Sequence, residues 1–101
     1  MERFANIRND FFEQETIKRI YKSENGASVL MVLLALFVSA DKKTGNVIMD
    51  NGKAHTMESL AEEFDFTVDK VKKAIKLLEK EGFLMILNDK TVRVVTKDYI
   101  D

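Results

Sequence analysis

A chain of 101 residues, 46% of them hydrophobic, is long enough for one domain that buries roughly 60–70% of its unfolded surface. Sixteen Lys and Arg against seventeen Asp and Glu leave a net charge of −1, which excludes a uniformly basic coat but leaves room for a local basic face. The absence of Cys excludes disulfide scaffolds, thiolate zinc clusters and cysteine nucleophiles.

The start, Met1-Glu2-Arg3-Phe4-Ala5, is too polar for a secretory signal, so a cytoplasmic protein is expected. Phe4–Ile7 alternates apolar and polar and predicts a short edge strand. Asp10 and Glu13 stand at capping-box spacing, which predicts a helix over about 13–24. Ile17, Ile20 and Tyr21 form its apolar face, and Phe11 and Phe12 are expected to plug the core just before it. Gly26 is expected to end that helix in the left-handed conformation. The stretch 27–41 is apolar all round at its centre, so it predicts a helix contacted on every side. Its apolar run, Ala27–Ala40, is shorter than the ~20 residues that span a bilayer, and no membrane segment is expected.

A polar loop with Gly45 follows, then a short strand at Val47, Ile48 and Met49, closed by the turn Asp50-Asn51-Gly52. Thr56 caps a helix over about 57–65, with Met57, Leu60, Ala61 and Phe64 on one face. After the tight connection Asp65-Phe66-Thr67, Thr67 caps a second helix over about 68–81. Its stripe is Val68, Val71, Ala74, Ile75 and Leu78, and Gly82 stops it. Two runs of good β formers, Phe83–Leu87 and Thr91–Val95, predict a hairpin over about 83–96 with Asn88-Asp89-Lys90 at its tip. Two helices joined by a three-residue turn and followed by a hairpin make an α+β, mostly α, winged helix-turn-helix. The additional elements are an N-terminal helix or strand and a C-terminal β-hairpin wing.

The charge is unevenly spread. Between Phe66 and Lys97 eight basic residues face four acidic ones, whereas 56–65 carries Glu58, Glu62, Glu63 and Asp65 and no base. At about 100° per residue, Asp69, Lys73, Lys76 and Lys80 point away from the apolar stripe, with Lys70 and Lys72 flanking them. A lysine-rich outer face is, by itself, the ordinary solvated side of an amphipathic helix. Its position as the second helix of a helix-turn-helix is what makes it a candidate DNA-binding face. Lysine suits phosphate as a point charge, and this helix has no Arg, Asn or Gln to read base edges. Strong salt dependence and modest sequence discrimination are therefore expected. Thr67, Lys70, Lys72, Lys73, Lys76 and Lys80 are the candidate contacts on the helix, with Lys90 and Arg93 on the wing. Leu77 lies off the main stripe and is expected either under the first helix or in a contact between copies.

Catalysis is not expected. His55 is the only histidine and reads as a surface residue beside a helix cap. Glu62 and Glu63 diverge by about 100° and cannot share a site. Gly45 to Gly52-Lys53 has the wrong spacing for a phosphate loop, and Ala54 stands where a magnesium-binding hydroxyl belongs. Neither a metal nor a cofactor is expected.

Several segments carry a family resemblance: Asp10-Phe11-Phe12, Glu15-Thr16-Ile17-Lys18-Arg19-Ile20, and Asn25-Gly26 leading into Val29–Ser39. It continues through Gly45-Asn46-Val47-Ile48, Leu60-Ala61, Val68-Asp69-Lys70-Val71, and Leu77-Leu78-Glu79-Lys80-Glu81-Gly82-Phe83-Leu84. Together they resemble the N-terminal domain of phage replisome organisers, relatives of the DnaD-type primosome proteins and of plasmid replication initiators. The resemblance runs over roughly Phe4 to Leu87. It implies a winged-helix module that binds double-stranded origin DNA, self-associates through this domain and helps to bring in the replicative helicase or its loader. In longer members a second, C-terminal domain meets the helicase machinery. This chain ends at Asp101, so helicase loading by it alone is not expected. The recognition-helix position, here Thr67 to Lys80, is what the resemblance carries over. A protein-protein oligomerisation domain in primosome assembly and a small transcriptional regulator are the alternative readings.

Overall fold

The computed structural model describes residues 10–95. The strand expected at Phe4–Ile7, the end of the expected hairpin at residue 96 and the base Lys97 lie outside them. The fold is α+β and mostly helical, with four helices and one two-stranded antiparallel sheet among the described residues, and it is winged-helix-like.

A single 3-10 turn, Phe11–Glu13, precedes α1 (Glu15–Lys22). The helix therefore starts later than the capping-box spacing predicts. Asp10 makes no capping bond; its carboxylate accepts from Gln14 Nε2 at 3.2 Å, and Gln14 is extended. That extended residue splits the turn from the helix. Phe11 is buried, with its ring 6.4 Å from that of Phe37, but Phe12 is exposed. The two phenylalanines are neighbours on a turn and cannot both point inward, so only one fills the core.

Between α1 and α2 (Gly26–Ser39) the left-handed residue is Asn25, with φ of 60°, and not Gly26. Gly26 is instead the first residue of α2, and it is buried against the carbonyl groups of Ile20 and Tyr21, where a Cβ would collide. What glycine supplies here is close approach.

The helix α2 is central and packs on both α1 and α4 (Val68–Lys80). Leu33, Leu36 and Phe37 are fully buried on it. It is not covered all round: Ala27, Met31 and Val38 are exposed and Leu34 is half-buried, so one apolar stripe stays open. The remaining elements of a 101-residue chain cover only part of this helix.

From Ala40 the chain folds back on itself. Ala40 bridges Val47, the Val47 N–H donates to the Val92 carbonyl at 2.8 Å, and Asn46 bridges Arg93. The expected strand at 47–49 thus exists as single bridges, Val47 to Ala40 and Ile48 to Ala54, with residues 46 and 47 beside the wing. Gly45 makes this possible, because it has φ of 79° and its carbonyl accepts from the Val94 N–H at 2.8 Å. A Cβ there would meet the Val94 carbonyl.

The second half follows the expected pattern within a residue or two, the ordinary spread of helix ends. α3 (Met57–Phe64) opens with a full capping box: Thr56 Oγ1 accepts from Ser59 N at 3.0 Å, and Ser59 Oγ accepts from Thr56 N at 2.8 Å. Asp65, left-handed at φ of 59°, closes it. The helix α4 ends in a Schellman motif, with Gly82 at φ of 87°, Gly82 N–H donating to Glu79 and Phe83 N–H to Leu78. Leu78 and Phe83, both buried, make the apolar contact that goes with that motif. β1 (Leu84–Ile86) and β2 (Val92–Val94) then pair antiparallel, Leu84 opposite Val94, Met85 opposite Arg93 and Ile86 opposite Val92. No helix among the described residues is long and apolar enough to cross a membrane.

Candidate nucleic-acid interface

α4 is held by its apolar side. Val71, Ala74, Ile75 and Leu78 are buried against the core, and Val68 and Leu77 are half-buried at the margins. Everything else on the helix is exposed: Asp69, Lys70, Lys72, Lys73, Lys76, Glu79 and Lys80. Lys73, Lys76 and Lys80 form the outermost ridge, with Lys70 and Lys72 on its shoulders. Among the described residues only Lys73 of these five is in an ion pair, with Asp69 one turn earlier at 3.2 Å. Both partners are three-quarters exposed, so the pair binds them weakly. The ammonium groups stand on a rigid rod, in water, with their charge largely uncompensated.

The start of the rod is fixed by Thr67, whose Oγ1 accepts from Lys70 N at 3.2 Å. Thr67 is exposed, and its role in the fold is the cap. Leu77 faces the turn between α1 and α2, in a groove of about 340 Å3 that it shares with Asn25, Ser28, Lys70 and Lys73. It is half-buried against the core of its own chain.

The wing separates its two candidate bases. Lys90 is exposed at the hairpin tip, left-handed at φ of 71°. The tip is pinned by Asp89, whose carboxylate accepts from Thr91 N at 3.0 Å; that bond holds the Asp89 carboxyl below its ordinary value. Arg93 is half-buried, and its Nε donates to Asn46 Oδ1 at 2.7 Å. It thus ties the wing to the 41–46 loop.

His55 is not the surface residue its sequence context suggests. It is 4% exposed, with Nδ1 2.8 Å from Ser59 Oγ and Nε2 2.8 Å from Glu63 Oε2. The imidazole clamps the 47–55 segment to α3, and His55 N–H also donates to the Val47 carbonyl at 3.0 Å. A serine, a histidine and a glutamate in contact look like a catalytic set. Ser59 Oγ, however, also accepts from Thr56 N and lies 3.1 Å from Thr56 O, so its hydroxyl belongs to the helix cap. The spacing that could have revealed this cluster is His55, Ser59, Glu63, one residue every four: Ser59 and Glu63 share one face of α3, and His55 stands just before its cap. Among the described residues there is no group of three or more side chains able to hold a metal ion.

The geometry is that of a helix-turn-helix whose second helix presents lysines and is followed by a pinned wing. The model of the N-terminal phage replisome organiser family matches residues 4–99. The chain belongs to this family. Membership ties this replisome organiser domain to phage DNA replication. No curated protein and no solved structure matches it significantly.

Proposed function

We propose that this replisome organiser domain is a non-catalytic replication initiation module that binds duplex DNA through the outer face of α4. The observation that carries the reading is the ridge of Lys73, Lys76 and Lys80 with Lys70 and Lys72 beside it, exposed and, among the described residues, almost free of carboxylate partners. On duplex DNA these groups sit on phosphates, Thr67 lies at the end of the rod, and Lys90 reaches the backbone from the wing. Arg93, through the guanidinium nitrogens that Asn46 does not use, adds a contact at the wing's base. Each phosphate contact releases counterions, so affinity falls steeply with salt, by about 0.9 in log–log slope per contact. Lysine ridges read bases poorly, so sequence discrimination is modest. The test is a binding titration across salt concentrations with the Lys70→Ala, Lys73→Ala, Lys76→Ala and Lys80→Ala quadruple variant. Weaker affinity on every sequence, with a shallower slope, supports the reading.

A second role rests on α2. Its open stripe, Ala27, Met31 and Val38, is apolar surface beside a tightly packed core, and self-association through it joins copies of the domain at an origin. In this reading recruitment of helicase or its loader follows from the assembled copies.

A further inference from the structure

We propose that α1 carries a second nucleic-acid site, which stacks unpaired bases of single-stranded DNA on Phe12 and Tyr21 and holds the adjoining phosphates with Lys18 and Lys22. This goes beyond the duplex-binding reading and uses none of the α4 lysines.

Phe12 and Tyr21 are the two most exposed large hydrophobic residues among those described, at 63% and 62%. They line one cleft of about 210 Å3, with Ile17 at its base and Lys18 and Lys22 at its rim. Phe12 is exposed but held. Its ring stands at 90° to that of Phe11, with centroids 5.0 Å apart, and Phe11 is anchored in the core. A fixed ring offers a stacking face without the entropy of ordering it first.

The charge matches. Lys18 and Lys22 also line the adjoining groove of about 570 Å3, together with Glu15, Arg19 and Ser23. Arg19 is engaged by Glu81, so it ties α1 to the end of α4. Lys18 and Lys22 have no carboxylate partner among the described residues. Glu15 is the single acid among the residues lining the two grooves. An aromatic pair beside two such cations, one turn apart, follows the pattern by which proteins hold single strands: π-faces take bases and ammonium groups take phosphates. A duplex keeps its base faces stacked internally and offers nothing to Phe12 and Tyr21. An acidic peptide would satisfy the lysines but would leave two stacking faces without a partner.

The test is fluorescence anisotropy with the full chain and three labelled probes: an oligothymidylate, an abasic deoxyribose-phosphate oligomer of equal length, and a duplex. Phe12→Ala and Tyr21→Ala are each expected to weaken oligothymidylate binding by about tenfold and to leave duplex binding unchanged. Tyr21→Phe keeps the ring and is expected to keep the affinity. Lys18→Gln with Lys22→Gln is expected to lower the salt slope by about 0.7 for each ammonium taken off a phosphate. The abasic probe is expected to bind more weakly than oligothymidylate. Equal binding of the two single-stranded probes, or wild-type oligothymidylate binding by both alanine variants, overturns the proposal. So does loss of self-association in those variants with single-strand binding intact, which would make the cleft a protein contact. The α4 quadruple variant separates the two sites, because it is expected to lose duplex binding and keep the oligothymidylate.

Discussion

Gly26 and His55 show how much single positions hold in place. Replacing a helical glycine by alanine ordinarily stabilises a protein by about 0.5–1 kcal/mol. At Gly26 the added methyl would strike the carbonyls of Ile20 and Tyr21, which are backbone and cannot swing aside. Overpacking of that kind costs about 1–3 kcal/mol, so the steric effect wins. Gly26→Ala is expected to lower stability by about 2 kcal/mol in urea unfolding, with the slope unchanged. His55→Ala removes a buried ring and two hydrogen bonds, and a decrease of about 1–2 kcal/mol is expected in the same measurement. Neither role is legible in the chain. Glycine after a helix reads as a stop signal, because the local pattern carries no information on how closely a carbonyl approaches. A lone histidine before a cap reads as solvated, because its burial depends on the 47–55 segment folding over α3.

At the scale of elements, legibility follows locality. α3 and α4 are readable because their signals lie within one turn: Thr56 with Ser59, Thr67 with the N–H of Lys70, the apolar spacing, and Gly82 after the last turn. The start of α1 is not, because Asp10 spends its carboxylate on Gln14 instead of on backbone N–H groups. The strand at 47–49 is only half readable: its bridges are single and local, Val47 to Ala40 and Ile48 to Ala54, while its tie to β2, through Asn46 with Arg93 and the Val47 N–H with Val92, spans more than forty residues. The loop and wing that meet there share a chemical device. Thr44 Oγ1 donates to Asp41, and Thr91 N–H donates to Asp89, and both carboxyls are held below the ordinary value of about 3.9. A folded value below the unfolded one stabilises the fold above the unfolded value, and the gain is lost as pH falls through the folded value. Stability is therefore expected to decline through these two groups as pH falls through the ordinary carboxylate value of about 3.9 and below. The Asp41→Ala, Asp89→Ala double variant is expected to show a shallower decline over that window in urea unfolding.

At the scale of the whole molecule, the surfaces of α2 and α4 make unlike demands. The open stripe on α2 is proposed to join copies of the domain. Met31 is 56% exposed, so Met31→Glu leaves the core intact and is expected to shift sedimentation toward monomer. The lysine face of α4 is proposed to meet duplex DNA. The resemblance in the sequence points to the family, and helical geometry places the lysines, but exposure of that face depends on α2, α3 and the wing all packing on the other side. The sharpest test is the dependence of duplex affinity on salt for the wild-type chain and for the variant with Ala at positions 70, 73, 76 and 80. The account predicts weaker binding to every sequence and a log–log slope shallower by about 0.9 for each lysine that no longer meets a phosphate. Wild-type affinity and slope in that variant would contradict it.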